Sequence, residues 1–129
     1  MTNVTELRVA LTVSDFEQAV AFYRDALGLT QLEDWSTAEG RVILLDAGRA
    51  TLELFDEAQA EMVDRIEVGQ RVSGAVRFAL EVSDSGEMAA RLVAAGAEDV
   101  APAATTPWGD HNARVRAPDG MQLTLFTTS

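Results

Sequence analysis

The chain has 129 residues, of which 47% are hydrophobic and 24% charged, and this composition predicts a single globular domain. It contains no cysteine, which excludes disulfides, thiolate nucleophiles and thiolate metal ligands. No apolar run approaches the roughly 20 residues that span a bilayer, and the first residues lack a signal-peptide pattern, so we expect a cytoplasmic protein. A formal net charge of -11 disfavours nucleic acid and anionic membranes as partners.

Two parts of the chain are copies of each other. Residues 8–15 read RVALTVSD and residues 77–84 read RFALEVSD, with six of eight positions identical at an offset of 69. LELF at residues 52–55 matches LTLF at residues 123–126 at an offset of 71. Because separated matches keep nearly the same offset, the sequence predicts one module that occurs twice within a single domain, residues 1–129.

Hydrophobic spacing and helix caps predict the first two elements of each module. Apolar residues alternate with others across residues 8–13, which indicates a strand with two different faces. Ser14 and Glu17 form a capping box that predicts the start of a helix, and Asp84 and Glu87 repeat it in the second copy. In both copies the helical stripe, which extends through Ala26 and Leu27 in the first, ends at a matching glycine, Gly28 or Gly96.

Three strand-like stretches follow each predicted helix. In module one they cover about residues 30–36, 41–46 and 50–55, and in module two about 100–105, 112–116 and 122–127. Turn-forming residues separate them, most clearly APDG at residues 117–120. Module one is thus placed at about residues 5–56 and module two at about 75–128, joined by a polar connecting arm, 57–74, with an amphipathic stretch.

A βαβββ unit that occurs twice in one chain is the layout of the vicinal oxygen chelate superfamily, also called the glyoxalase/bleomycin resistance/dioxygenase fold. The chain resembles this family in AFYRDALGL at residues 21–29, in PWG at residues 107–109 and in APDG before LTLF. The resemblance covers nearly the whole chain and implies an α+β domain whose two modules form a cupped mixed sheet. One fold hosts many functions, so the activity needs a separate argument.

The resemblance also indicates where a metal site would lie. In the metal-dependent members, four side chains from the first and last strands of each module converge on one cation, and the matching positions here are Arg8, Glu53, Arg77 and Thr124. A guanidinium has no lone pair to donate, and one carboxylate with one hydroxyl does not hold a transition metal. We therefore expect no metal and no other cofactor.

The charged residues at these positions allow two interpretations. In the first, Glu53 forms ion pairs with both Arg8 and Arg77 at the bottom of the cleft, so that the buried charges compensate one another. In the second, one arginine keeps free donors for a carboxylate, phenolate or carbonyl group of a ligand. In both, the nearby positive charge is expected to lower the pKa of Glu53, which disfavours a general base. The acidic surface suits a cationic ligand, whereas the arginines suit an anionic one, and we give the local residues more weight.

Aromatic side chains and one histidine complete the candidate ligand contacts. Trp35 lies near the end of a strand and Trp108 in a loop, and neither position requires a large side chain for packing of the core. For Trp108, packing within its own loop is an equally good explanation. Phe55 and Phe126 should face the concave side by alternation. Together these rings predict a slot for a flat ring system. His111, the only histidine, is expected near the rim at the start of a strand, exposed, locally bonded or in contact with a ligand.

Two main classes of function follow. The first is a metal-independent protein without catalytic residues that sequesters an aromatic or conjugated natural product, similar to the antibiotic-binding members of the family. The alternative is an enzyme of the glyoxalase, epimerase or dioxygenase type, with an unrecognised metal site or with metal-free chemistry by Glu53 and His111. An accessory domain that binds a metabolite is a weaker third reading.

The family resemblance also implies a quaternary arrangement. Members of this length usually pair as two-fold dimers, so we expect a homodimer with shared clefts. In that arrangement, Arg8 and Glu53 lie opposite Arg77 and Thr124 of the partner subunit.

Overall fold

The computed structural model describes residues 4–128. The first module comprises β1 (Val4–Thr12), α1 (Phe16–Val20), β2 (Thr30–Asp34), β3 (Val42–Asp46) and β4 (Thr51–Phe55). After α2 (Glu57–Glu67), the second comprises β5 (Val76–Val82), α3 (Ser85–Ala94), β6 (Glu98–Thr105), β7 (His111–Arg116) and β8 (Gln122–Thr127). The α+β class and the repeated βαβββ unit are confirmed. Within the described range, no helix is long and apolar enough to cross a membrane.

The strands form one mixed sheet with the order β2-β3-β4-β1-β5-β8-β7-β6. In each module the first strand lies parallel to the last, β1 beside β4 and β5 beside β8. The modules join through β1 and β5, which are antiparallel, with Arg8 opposite Ala79 and Ala10 opposite Arg77. Since Arg8 and Arg77 are equivalent in the duplication, this register relates the two modules by an approximate two-fold axis.

The two faces of the sheet carry different residues. On the convex face, Leu54 packs with Phe16 and Val20 of α1, while Leu125 belongs to a second cluster that includes Leu92 of α3. The predicted facing of the leucines in β4 and β8 is therefore confirmed. The concave face, called the cup below, carries the charged and aromatic side chains that alternate with them.

The first helix differs from its prediction at both ends. Asp15 rather than Ser14 is the N-cap, and its carboxylate accepts a hydrogen bond from the Gln18 backbone N–H at 3.0 Å. After Val20 the helix continues as a π-helical segment, Ala21–Ala26, in which no residue is buried. The wider π-helical turn shifts side chains out of the 3.6-residue register, so the predicted apolar stripe is wrong at its end, and Leu27 is 60% exposed.

The connecting helix α2 lies over the cup, a position that the sequence did not predict. Its Ala60 and Val63 pack in a buried cluster that also contains Ala10, Val42 and Phe55 of the cup. The N-terminal turn of α2 approaches the loop before β3 closely. A Cβ atom added at Gly40 would lie 2.5 Å from the backbone nitrogen of Gln59, so glycine is required there for steric reasons.

Candidate ligand-binding site

The four positions that match the family's metal ligands meet in the cup of one chain. Arg77 Nη1 donates to Thr124 Oγ1 at 2.8 Å, and the charges of both Arg77 and Arg8 act on the carboxyl of Glu53. The pairing of β1 with β5 brings these residues together. Within one chain, Arg77 and Thr124 lie on the same continuous sheet as Arg8 and Glu53, so this arrangement needs no residue from a partner subunit. The expected homodimer with shared clefts stays a prediction.

These four side chains do not fit a divalent metal ion. The two guanidinium groups carry positive charge and offer no lone pair. The Thr124 hydroxyl is already bonded to Arg77, to Arg114 Nε at 3.1 Å and to Glu67 Oε1 at 3.0 Å. Across residues 4–128, no group of three or more histidine, aspartate or glutamate side chains is arranged to hold a metal ion. The metal chemistry of the family is not available from this set of residues.

Arg8 is held by an ion pair and by two aromatic rings. Its Nε and Nη2 donate to the two carboxylate oxygens of Glu6 at 3.0 and 3.1 Å, and Glu6 also accepts from Thr51 Oγ1 at 2.6 Å. The guanidinium carbon lies 5.4 Å from the ring centroid of Trp35 and 4.8 Å from that of Phe126. Two of the aromatic residues predicted to receive a ligand are thus in contact with a planar cation of the protein itself.

The equivalent arginine of the second module makes the equivalent contact. Arg8 of β1 lies against Phe126 of β8, and Arg77 of β5 lies against Phe55 of β4. The guanidinium carbon of Arg77 lies 5.7 Å from the ring centroid of Phe55. However, α2 covers this half of the cup, where Arg77 is only 5% exposed. In the other half Phe126 is as buried as Phe55, but the Arg8 side chain is 19% and Trp35 41% exposed. We call the part of the cup around Arg77 and Phe55 the closed half, and the part around Arg8, Trp35 and Phe126 the open half.

Buried ionic contacts anchor α2 over the closed half. Arg114 of β7 is paired with Asp64 Oδ1 at 3.1 Å and with Glu67 Oε1 at 2.8 Å. Burial alone would raise the pKa of Asp64. Hydrogen bonds from the Ser73 hydroxyl and from the Ser73 and Val72 backbone N–H groups, together with Arg114, outweigh it and lower that pKa to about 2.

Glu53 is a buried carboxylate without a direct partner. It is 8% exposed, and within residues 4–128 it makes no hydrogen bond and no ion pair shorter than 4.0 Å. Burial raises its pKa, and the charges of Arg77 and Arg8 offset this only in part. Two expectations from the sequence are wrong: Glu53 does not bridge the arginines, and its pKa is not lowered. The reason is that Arg8 pairs with Glu6 instead, so desolvation outweighs the remaining attraction.

Trp108 and His111 lie at the rim of the second module. Trp108 is 48% exposed. It lies beside Asp110, a carboxyl whose pKa is raised by burial although the charge of Arg8 opposes this. His111 begins β7, as predicted, and is exposed, with its Nδ1 3.1 Å from Thr105 Oγ1. It lines a depression of about 410 Å³ beside the start of α3, so the structure does not bring it to Glu53.

Sequence reasoning missed three residues that shape the site. Asp64 and Glu67 come from the connecting arm, and Arg114 from the middle of β7. The alternation of polar residues at positions 112, 114 and 116, which lie opposite Phe126, Thr124 and Gln122, was a usable signal for a polar face on β7. No local pattern in the arm, however, shows where its acidic residues lie.

Comparisons with known proteins add the family context. Residues 7–125 match the family model described as the Glyoxalase/Bleomycin resistance protein/Dioxygenase superfamily. No significant match is found among curated proteins.

Three solved structures illustrate the likeness of the fold. A hypothetical protein from Bacillus halodurans C-125 has a TM-score of 0.71 at 14% identity, covering 99% of this chain and 95% of its own. Methylmalonyl-CoA epimerase from Mycobacterium tuberculosis has a TM-score of 0.67 at 23% identity, covering 98% and 89%. A glyoxalase/bleomycin resistance protein/dioxygenase superfamily member from Vibrio splendidus 12B01 has a TM-score of 0.64 at 14% identity, covering 95% and 97%. Identities this low show a shared fold alone.

Proposed function

Since the chain belongs to the glyoxalase/bleomycin resistance protein/dioxygenase superfamily, we propose that it binds a flat, conjugated small molecule in the open half of its cup, without a metal ion and without turnover. The contact of the Arg8 guanidinium with Trp35 and Phe126 carries this proposal. A planar, delocalised group already lies against both rings, and a conjugated ligand offers the same kind of surface. The biological consequence is sequestration of a toxic natural product by stoichiometric binding.

The aromatic side chains supply the affinity and α2 sets the stoichiometry. Stacking on Trp35 and Phe126 adds roughly 0.5–1.5 kcal/mol per good aromatic pair beyond the burial of surface area. Trp108 is 48% exposed at the rim, and we expect it to cover the outer side of a bound molecule. Because α2 packs on Phe55, the ring equivalent to Phe126, we expect one ligand per chain although the module is duplicated.

A metal-free enzyme that transfers a proton is the second candidate, and Glu53 is the observation that favours it. Burial raises the pKa of Glu53, which brings a carboxyl closer to the range of a useful acid or base. An epimerase, such as the structurally similar methylmalonyl-CoA epimerase, inverts a stereocentre. His111 lines a different depression, so the acid–base pair of Glu53 and His111 considered from the sequence has no support in the geometry.

Recovery of the ligand distinguishes the two candidates. Candidate flat aromatic antibiotics are incubated with excess protein, binding is followed by quenching of tryptophan fluorescence, and the compound is recovered after denaturation. Saturation at one ligand per chain with intact compound supports sequestration. A chemically altered product that exceeds one equivalent per chain shows an enzyme instead. Trp35→Ala and Trp108→Ala should weaken binding, whereas Phe22→Ala, exposed and outside the cup, is the matched control.

We also propose that the chain forms a homodimer in the cytoplasm. The edge strand β2 is exposed along its whole length and carries Leu32 at 47% exposure, a feature that favours pairing with a second copy. Since Arg8, Glu53, Arg77 and Thr124 lie in one chain, dimer formation does not complete the site. Sedimentation at micromolar concentration should give the mass of two chains, and the mass of one chain would contradict the dimer.

A further inference from the structure

We infer that the open half of the cup selects a planar ligand with a positive charge, which displaces the guanidinium of Arg8 from Trp35 and Phe126 and approaches Glu53. This inference rests on the proposed function and names the chemical class of its ligand. It reverses the expectation from the sequence, in which the two arginines favoured an electron-rich or anionic group.

The charges around Arg8 are the first observation. Glu6 forms the direct ion pair with Arg8, and the carboxyls of Glu53 and Glu81 also act on it. Asp110, at the rim, lies within reach of the same guanidinium. Arg8 thus faces four carboxyl groups, one of which, Glu53, is also acted on by the charge of Arg77. When Arg8 moves aside with its partner Glu6, the remaining carboxyls leave an excess of negative charge that attracts a second cation.

The carboxylate of Glu53 is the second and independent observation. It is more than nine-tenths buried and has no hydrogen-bond donor among the residues that the structure describes. It points into the cup, because its neighbours Leu52 and Leu54 pack on the convex face. A buried carboxylate without a donor is costly, and a ligand cation with an N–H group supplies what is missing.

Arg77 does not reverse this preference. Its guanidinium donates to Thr124 and lies in the closed half, where the charges of Glu67 and Asp64 on α2 act on it. These two carboxylates also pair with Arg114. Burial lowers the pKa of Arg77, and the charge of Arg114 adds to this effect. The carboxyls of Glu67, Glu53 and Asp64 therefore compensate its positive charge only in part. In this proposal a ligand in the open half displaces Arg8 and approaches Glu53, which has no hydrogen-bond donor among residues 4–128.

Three acridines of the same ring system test the charge preference. 9-Aminoacridine is a cation at neutral pH, acridine is largely neutral and acridine-9-carboxylate is an anion. Binding is measured by tryptophan quenching at low salt and confirmed by calorimetry. The cation should bind more tightly than the neutral ring by about tenfold, the effect of one charge-assisted hydrogen bond in a desolvated site, and the anion more weakly than both.

Two substitutions in the cup should act in opposite directions. Glu53→Gln keeps the shape and removes the charge, so it should weaken 9-aminoacridine about tenfold and leave acridine unchanged. Arg8→Gln removes the competing cation, so it should tighten 9-aminoacridine, whereas an arginine that anchors the ligand would give the opposite sign. Glu61→Gln, exposed on α2, is the control with the same change of charge. Unfolding midpoints of the variants verify that each one is folded.

The outcomes separate this inference from the proposed function. Equal or tighter binding of acridine-9-carboxylate, or weaker binding of 9-aminoacridine to Arg8→Gln, overturns the charge preference while a binding protein remains. If none of the three acridines binds, both this inference and the proposed slot for a flat ring are overturned.

Discussion

Arg114 of β7 donates to Glu67 of α2 at 2.8 Å, and the two side chains are 0% and 5% exposed. This pair joins the connecting helix to the second module across the cup. Asp64, one turn earlier on α2, contacts the same guanidinium. Together they hold α2 over Arg77, which is 5% exposed, whereas the Arg8 side chain keeps 19% exposure.

The first prediction concerns Arg114 itself. Arg114→Ala leaves the buried carboxylate of Glu67 without its ion-pair partner and Asp64 with only the more distant Arg71, so it should lower the free energy of unfolding by about 3–5 kcal/mol. Arg116→Ala is the control, since Arg116 pairs with Glu98 on the exposed edge and such pairs contribute at most about 1 kcal/mol. Urea denaturation measures both losses. Similar losses for the two variants would show that the buried pair does not anchor α2.

The second prediction is that acid weakens the anchor through Asp64. Its pKa of about 2 lies below the ordinary value of 3.8, so its charged form stabilises the folded state above pH 4. This contribution, up to about 2 kcal/mol, is lost as the pH falls from about 4 towards 2. Asp64→Asn should flatten the dependence of stability on pH in that window, and the exposed Asp99→Asn should leave it as in the wild type. Parallel curves for Asp64→Asn and the wild type would contradict this.

The third prediction is a gain of stability. The pKa of Glu53 is raised in the folded state, so its ionisation opposes folding, and stability is lost as the pH rises through that pKa. Glu53→Gln should therefore raise the unfolding midpoint at neutral pH, and the gain should disappear in acid, where the carboxyl is protonated. Glu61→Gln should show no such gain. A lower midpoint for Glu53→Gln at neutral pH would mean that the arginines stabilise the carboxylate more than burial destabilises it.

The fourth prediction concerns the close approach of Gly40 to α2. In Gly40→Ala the new Cβ would lie 2.5 Å from the backbone nitrogen of Gln59, so the helix must shift, at a cost of about 1–3 kcal/mol. Gly74→Ala is the matched control, since no atom lies within 4 Å of its added Cβ. Chemical denaturation compares the two. Equal stability of both variants would show that the N-terminal turn of α2 yields easily.

The fifth prediction concerns metal content. Because Arg8 and Arg77 occupy two of the four ligand positions, the purified protein should carry no stoichiometric zinc, nickel, iron or manganese. Chelators should leave its melting temperature unchanged, because the side chains at the four matching positions hold no metal ion that a chelator could remove. Elemental analysis provides the measurement, and about one metal ion per chain would contradict the prediction.

Local patterns explain why much of the fold was predictable. The repeated strand motif, the period-2 alternation in β4 and β8 and the cap at Asp84 each depend on residues a few positions apart, and all three agree with the structure. The facing of Phe55 and Phe126 follows from the same alternation. The end of α1 was not predictable in this way, because a π-helical segment changes the register without an obvious signal in the sequence.

By itself, the sequence determined the duplication, the strands and helices, the facing of the leucines and the unsuitability of two arginines as metal ligands. These properties depend on residue chemistry and on spacing along the chain. The tertiary structure alone decided that Arg8 pairs with Glu6, that Glu53 makes no direct ion pair with another described residue and that α2 lies over Arg77 rather than Arg8. Each of these depends on which charged groups meet after the sheet has formed, and burial then decides which carboxyl is stabilised. For that reason the sequence pointed to an electron-rich or anionic ligand, whereas we infer from the charges assembled in the open half that the ligand is a cation.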